Sequence, residues 1–340
     1  VTTIPDEPLV LHPRHGIHEP TSGTPVRRPG TVRRTVTTDM LRPEGVQGPL
    51  VLRLRGRDLR TGPAGEAELL AEASGEAVVD YHDGKTLLEL RTDPARPALA
   101  ELCGRSVASG FRRGLDVLDP ALIDECDLLY LLLDDVPVTT LVSGHAVTVE
   151  RLPGSEIPPE RRRHFPADLC AGFVTGGTLI SGVLELGTPP VVTGPLAPAL
   201  DDPDDPAGWH DMDPLPPTGM RRSRRIDVSP ARDGRSEAEI EALFRDSYVL
   251  GDGRETVIHE YTLTARARDG VVTECRAQAR VLPWTECPGA VASAGRIAGV
   301  RLDELRSHVR TRFAGVSTCT HLNDMLRSLH DVPVLLGLAG

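Results

Sequence analysis

The feature that most constrains this chain is that it matches itself at a nearly fixed offset. Arg33 and Arg34 stand ahead of Asp39 as Arg221 and Arg222 stand ahead of Asp227, 188 residues later. The same offset carries Arg57-Asp58 onto Arg245-Asp246, and nearby offsets carry the turn Asp83-Gly84 onto Asp269-Gly270. Farther on, CGRSVASG from Cys103 falls on CPGAVASAG from Cys287, and Asp-Val-Pro-Val ending at Val138 recurs ending at Val334. These collinear matches imply a first module at 29–140 and a second at 216–336, with 1–28 as an N-terminal extension and 141–215 between the modules. A chain of 340 residues has room for two cores at roughly 100–200 residues per domain.

The second module has the clearer periodicity. Val257, His259, Tyr261, Leu263 and Ala265 alternate with Ile258, Glu260, Thr262, Thr264 and Arg266, the pattern of a half-buried strand. Asp269-Gly270 then predicts a hairpin turn, with a return strand over 271–281. Earlier strands are expected at RRIDVSP and around Leu243 to Val249. After Trp284 the apolar spacing becomes helical, through Ala294, Ile297, Leu305, Val309, Leu322, Met325 and Leu329. Each module therefore reads as α+β, an antiparallel sheet followed by helices packed on one face. Between the modules, TLVSGHAVTVERL and LCAGFVTGGTLISGVLEL are apolar enough to pack on the first module as short strands. The Pro- and Asp-rich stretch after them suits an extended, poorly packed connector.

Charge and cysteine usage narrow the function classes. With 38 basic residues against 49 acidic ones, the chain lacks the positive footprint that nucleic-acid binding needs. The most apolar stretch, Cys170 to Leu186, is interrupted by four glycines and Glu185, so no membrane span is expected. The N-terminal residues carry no basic stretch followed by an apolar core, so a cytoplasmic location is expected. A small molecule is the partner class left open. Six cysteines (Cys103, Cys126, Cys170, Cys275, Cys287 and Cys319) are too sparse for a disulfide framework, so each is read as a thiol or a ligand.

The residues with chemistry sit at element boundaries of the second module. His259 is expected near a strand start, Cys287 at a helix start, and Cys319 and His321 at the start of the last helix. Two thiolates and one or two imidazoles are a ligand set for zinc or iron, and helix N-termini would lower the thiol pKa values. Cys319 and His321 cannot both point one way from a regular helix. Cys275, on the apolar face of its strand, reads as a core thiol. His12, His15 and His18 read as solvated, and Arg221, Arg222, Arg224 and Arg225 as a solvated edge. The first module keeps Cys103 and Cys126 but has no imidazole around Ala71 to Ala73, and has Glu125 in the place of His321, so it reads as degenerate.

MRRSRRIDV, IHEYTL, LPWTEC and FAGVSTCTHLNDML together resemble the domain of unknown function numbered 2889, to which both modules are similar and the second more so. That resemblance implies no established activity. The succession of DGVVTECRAQA, a Cys, VASA, RIAGVRLDEL and a Cys beside a His is more distantly similar to NifU-type iron–sulfur scaffolds and their SufE-like relatives. It implies a small antiparallel sheet backed by helices. It also puts Cys287 at the second scaffold cysteine, Cys319 at the third, and His259 where the first would stand. The histidine departs from that pattern, and His321 follows the third cysteine where the scaffold has its histidine before it. This points to a site holding zinc or iron firmly, or to a catalytic thiol. Three functions follow as expectations. One is a metal protein using His259, Cys287, Cys319 and His321. Another is a metal-free lyase, isomerase or cyclase in which Asp246, His259 and Glu260 handle protons. The third is a partner-binding scaffold without chemistry.

Overall fold

The alternation between Val257 and Val281 folds as a hairpin whose turn residues, Asp269 (φ 51) and Gly270 (φ 71), both take the left-handed backbone that a two-residue turn requires. The computed structural model describes residues 16–151, 156–231 and 238–339. Its strands are β1 (Thr31–Leu41), β2 (Leu50–Thr61), β3 (Ala67–Asp80), β4 (Thr86–Asp93), β5 (Met220–Pro230), β6 (Ala238–Val249), β7 (Glu255–Arg268) and β8 (Val271–Val281). Among the described residues the α-helices are α1 (Phe111–Leu118), α2 (Ala121–Asp124), α3 (Leu128–Val142), α4 (Gly144–Val149) and α5 (Pro159–Arg162) in the first part of the chain. They continue with α6 (Thr178–Leu186), α7 (Leu305–Arg312), α8 (Thr320–Ser328) and α9 (Val332–Ala339). No described helix is long and apolar enough to cross a membrane.

Where two separate sheets were expected, the structure has one. Its eight antiparallel strands run in the order β4-β3-β2-β1-β5-β6-β7-β8, so β1 pairs with β5 at the centre. Val36 faces Arg224 across that seam, and the pairs around them are reciprocal: Arg33 lies opposite Asp227, and Arg221 opposite Asp39. Both pairs are ion pairs at 2.6 Å. The helical layers are exchanged as well. Asp331, in the 3-10 turn just before α9, pairs with Arg34 of β1 at 2.8 Å, while Asp135 of α3 pairs with Arg224 of β5 at 2.7 Å. Each half thus supplies the acid for an arginine of the other, and α9 packs on β5, β1 and β2.

Side chains of successive strand residues point to opposite faces. The even-numbered arginines of β1 and β5 meet the helices, and the odd-numbered ones meet the connector. Arg222, Arg224 and Arg225 are therefore buried and Arg221 half-buried between two layers, each guanidinium with an acidic partner on its own face of the sheet. The connector is packed as well. Trp209 and His210 are buried on the sheet, and Ala197 and Pro195 hydrogen-bond the start of β7. A Cβ on Gly194 would overlap the Val257 carbonyl oxygen, so only glycine allows this close approach. The two segments read as short strands form helices α4 and α6, and Leu179 and Ile180 of α6 join the core of the second half, not the first. The stretch after Trp284 runs as a 3-10 helix, Cys287–Ile297, where an α-helical spacing had been read. His18 bridges to Val281, while His12 and His15 lie outside the described residues.

His210 shows how this layer responds to acid. Its ring nitrogens each lie 2.9 Å from a threonine hydroxyl, Thr35 Oγ1 at Nδ1 and Thr37 Oγ1 at Nε2. Burial, with Arg57, Arg221 and Arg55 nearby, pushes its pKa down from 6.5 to about 3. Between those values the unfolded chain binds a proton that the native state does not, so stability falls as the pH drops. His210→Gln is expected to flatten the dependence by up to about 1.4 kcal/mol per pH unit in that window. Urea titrations at stepped pH measure it, and an unchanged slope would contradict the assignment.

Candidate active site

The site grows out of one row across three strands on the helical face. Arg222 of β5 lies opposite Asp246 of β6, and Asp246 opposite His259 of β7. Arg222 grips the carboxylate with two parallel hydrogen bonds, Nε to Oδ1 at 2.8 Å and Nη2 to Oδ2 at 3.0 Å, the geometry a planar guanidinium favours. His259 Nδ1 lies 3.1 Å from Oδ2 of the same carboxylate. The register shifts between Asp246 and Ser247, so Ile258 has no partner on β6. This bulge sits beside His259, the fifth residue of β7 rather than its first.

Helix α8 brings the second imidazole. Cys319 caps the helix with extended backbone (φ −130, ψ 128), so the chain is irregular there and Cys319 and His321 turn toward each other, Sγ to Nδ1 3.8 Å. The His321 ring stacks on that of His259 with centroids 3.9 Å apart and planes 24° from parallel. Its Nε2 lies 3.7 Å from Asp246 Oδ2, is buried, and has no hydrogen-bond partner. Burial and the neighbouring His259 push the His321 pKa down to about 3, so the ring is neutral. Burial alone would raise the Asp246 carboxyl, but Arg222 and then His259 hold it well below the ordinary carboxylate range. The result is a fixed anion beside two imidazoles. Arg222 is tied to helix α8 by Asp324, at 3.2 Å. A third histidine, His145 of α4, lies outside the second half, its ring edge-on to Tyr248 of β6 at 4.8 Å.

The thiols do not join that row. Cys287 and Cys319 are buried, and both pKa values are raised, that of Cys319 to about 11, chiefly by burial. Backbone N–H groups at the start of α8 do act on Cys319 in the lowering direction, but desolvation outweighs them. The thiolates expected at these helix starts are therefore thiols. The Tyr261 hydroxyl faces Cys319, Cys287 and Cys170 without a hydrogen bond of regular geometry. Cys275 is buried in the core. Glu260 belongs to the other face of the sheet. It is fully buried there, accepts a 2.6 Å hydrogen bond from Arg245 Nε, and is separated from His259 by the strand's own alternation. Cys126 and Cys103 lie in the first half, where Arg34 faces Asp58 and Asp58 faces Ala71. That row repeats Arg222, Asp246 and His259 with alanine in place of the imidazole.

Among the described residues, Asp246, His259 and His321 are the group whose ligand atoms come close enough to share one ion, all within 4.8 Å of one another. The group includes no cysteine, so the scaffold-like set of His259 with Cys287 and Cys319 is not assembled. The stacking opposes a shared ion too. An ion in both ring planes and about 2.1 Å from each nitrogen would hold the ring centres roughly 5 Å apart. The observed 3.9 Å is too short for that. Arg222 is the member of this group that the sequence does not mark as part of a site. A residue spacing of two, alternating Arg222 and Arg224 with Arg221 and Arg225, was the available sign that the run faces two layers.

No curated protein and no solved structure matches the chain. Residues 220–335, which carry Arg222, Asp246, His259 and His321 together, match the family model described as a protein of unknown function, DUF2889.

Proposed function

We propose that the chain is an enzyme that moves protons on a small molecule, a lyase, isomerase or cyclase, with His259 as the acid–base group and Asp246 as its positioning residue. The observation that carries this reading is the 3.1 Å contact of His259 Nδ1 with a carboxylate already clamped by Arg222. An anion so fixed draws the ring proton to Nδ1 and leaves the Nε2 lone pair to take a proton from a substrate. The side chain of His259 keeps 13% of its surface exposed. Buried, protonated Cys287 and Cys319 are poor nucleophiles. We read the chain as duplicated, with one competent and one degenerate half. The shared offset extends to the paired Arg and Asp and to the bulges after Asp58 and Asp246.

A second reading is zinc or iron held by Asp246, His259 and His321, favoured by the closeness of their ligand atoms. It requires one ring to turn out of the stack. Elemental analysis of protein purified without a histidine tag separates the two readings. The acid–base reading expects no stoichiometric metal and no change in melting temperature with a chelator. Stoichiometric zinc or iron that disappears in His321→Ala would replace it with the metal site.

A further inference from the structure

The strand register that lines up Arg222, Asp246 and His259 on the helical face lines up a second row on the face that meets the connector. There Arg245 of β6 lies opposite Glu260 of β7, and at the same 188-residue offset Arg57 of β2 lies opposite Glu72 of β3. The second-half pair is closed at 2.6 Å and grips backbone. Glu260 Oε1 accepts a hydrogen bond from the Thr21 N–H at 2.6 Å, and Arg245 donates to the carbonyls of Thr21 and Pro198, each at 2.6 Å. Two stretches of chain thus cross that pair, and one of them is held at Thr21 by both its N–H and its C=O.

The first-half pair is open. Neither Arg57 nor Glu72 forms an ion pair among the described residues. Arg57 donates to one carbonyl, that of Ala207 at 2.7 Å, and its Nε is buried with no hydrogen-bond partner, while Glu72 is exposed. The two line a cleft of about 350 Å³ with Ser74, Asp93, His210 and Asp211. One stretch of backbone crosses here where two cross the other pair, and a further peptide segment would supply the partners that Arg57 and Glu72 lack. Charge narrows what that segment carries. Asp93 and Asp211, like Glu72, have no cationic partner within 4 Å among the described residues, and Arg55 in the same wall is already paired with Asp213. Three unpaired acids outweigh Arg57, so the cleft attracts a basic occupant.

We propose that this cleft binds an extended segment of a partner protein, with a backbone C=O held by Arg57, a backbone N–H held by Glu72, and a lysine or arginine side chain against Asp93 and Asp211. The site lies in the first half and on the face of the sheet opposite His259, so it stands independently of the acid–base reading.

The test uses the isotope-labelled full chain and three probes: acetylated and amidated Thr-Lys-Thr-Lys-Thr, the same peptide with glutamate in place of lysine, and butylamine, which has the basic group without a backbone. The lysine peptide is expected to shift the backbone amide signals of Gly56, Ala73 and Ser74 saturably in the millimolar range. The glutamate peptide and butylamine are expected to bind about tenfold more weakly or less. Glu72→Ala, a change at an exposed position, is expected to weaken the lysine peptide about five- to tenfold. No saturable shift of those amides with the lysine peptide would overturn the proposal. Equal binding of the glutamate peptide or of butylamine would overturn it too, as would unchanged binding to Glu72→Ala.

Discussion

Arg222→Met is expected to destabilise the protein by about 3–5 kcal/mol, the cost of stranding a buried charge partner. Arg222 and Asp246 are both 0% exposed, and the guanidinium also pairs with Asp324 at 3.2 Å and Asp135 at 3.7 Å. Methionine would fill much of the same volume and leave three buried carboxylates facing a thioether. The double variant Arg222→Met, Asp246→Leu is expected to recover part of the loss. It removes the stranded anion along with its partner, and ion pairs replaced as a unit by apolar side chains are often neutral in stability. Urea unfolding followed by circular dichroism measures both. A single-variant loss under about 1 kcal/mol would mean that the carboxylates are hydrated or protonated, contrary to the position given to Asp246.

Residues 216–340 produced alone are expected not to fold to a stable monomer. Without β1, strand β5 becomes an edge along the nine positions at which it now pairs, from Val228 to Met220. Asp331, fully buried, loses Arg34 and keeps only Arg306 at 2.7 Å, while Arg224 loses Asp135. Helix α9 loses the β1 and β2 surface on which it rests. The intact chain should unfold in one cooperative transition, and the fragment should show none, regaining it when produced together with residues 1–215. Gel filtration and urea titration decide. A fragment that unfolds cooperatively at the midpoint of the whole chain would show the halves to be independent.

The strands were largely legible because their signals are local. Alternation of Val257, His259, Tyr261 and Leu263, and the Asp269-Gly270 turn, fix β7 and β8, and β8 spans Val271–Val281 as read. The self-match located the arginine and aspartate rows. The seam between β1 and β5 was not legible, since nothing local distinguishes two separate sheets from one continuous sheet. The buried arginines were misread for a related reason. A run of charge looks solvated until its partners are known, and the helix-borne partners of Arg222 and Arg224, Asp324 and Asp135, lie about a hundred residues away in sequence. Glycines interrupt the apolar pattern around helix α6 and make it resemble short strands, although Leu179, Ile180 and Val183 are spaced for one helical face. The connector's prolines and aspartates hid Trp209 and His210, whose burial depends on a sheet face laid down elsewhere in the chain. Of the site, His259, His321 and Asp246 were named from the sequence. Their convergence depends on the pairing of β6 with β7 and on how α8 packs, and Glu260 was named with them although its strand position turns it away.

The measurement that most directly tests the site is the location of the ring proton on His259, read from proton–nitrogen correlation spectra of the whole chain with labelled histidine. The acid–base reading requires the proton on Nδ1, where Asp246 Oδ2 lies 3.1 Å away, and a bare Nε2. A metal ion bound alongside Asp246 would take Nδ1 itself and leave the proton on Nε2. A neutral ring protonated at Nδ1 in the native protein, with that preference weakened in Asp246→Asn, is the expected result. A His259 ring carrying its proton on Nε2 would contradict the account.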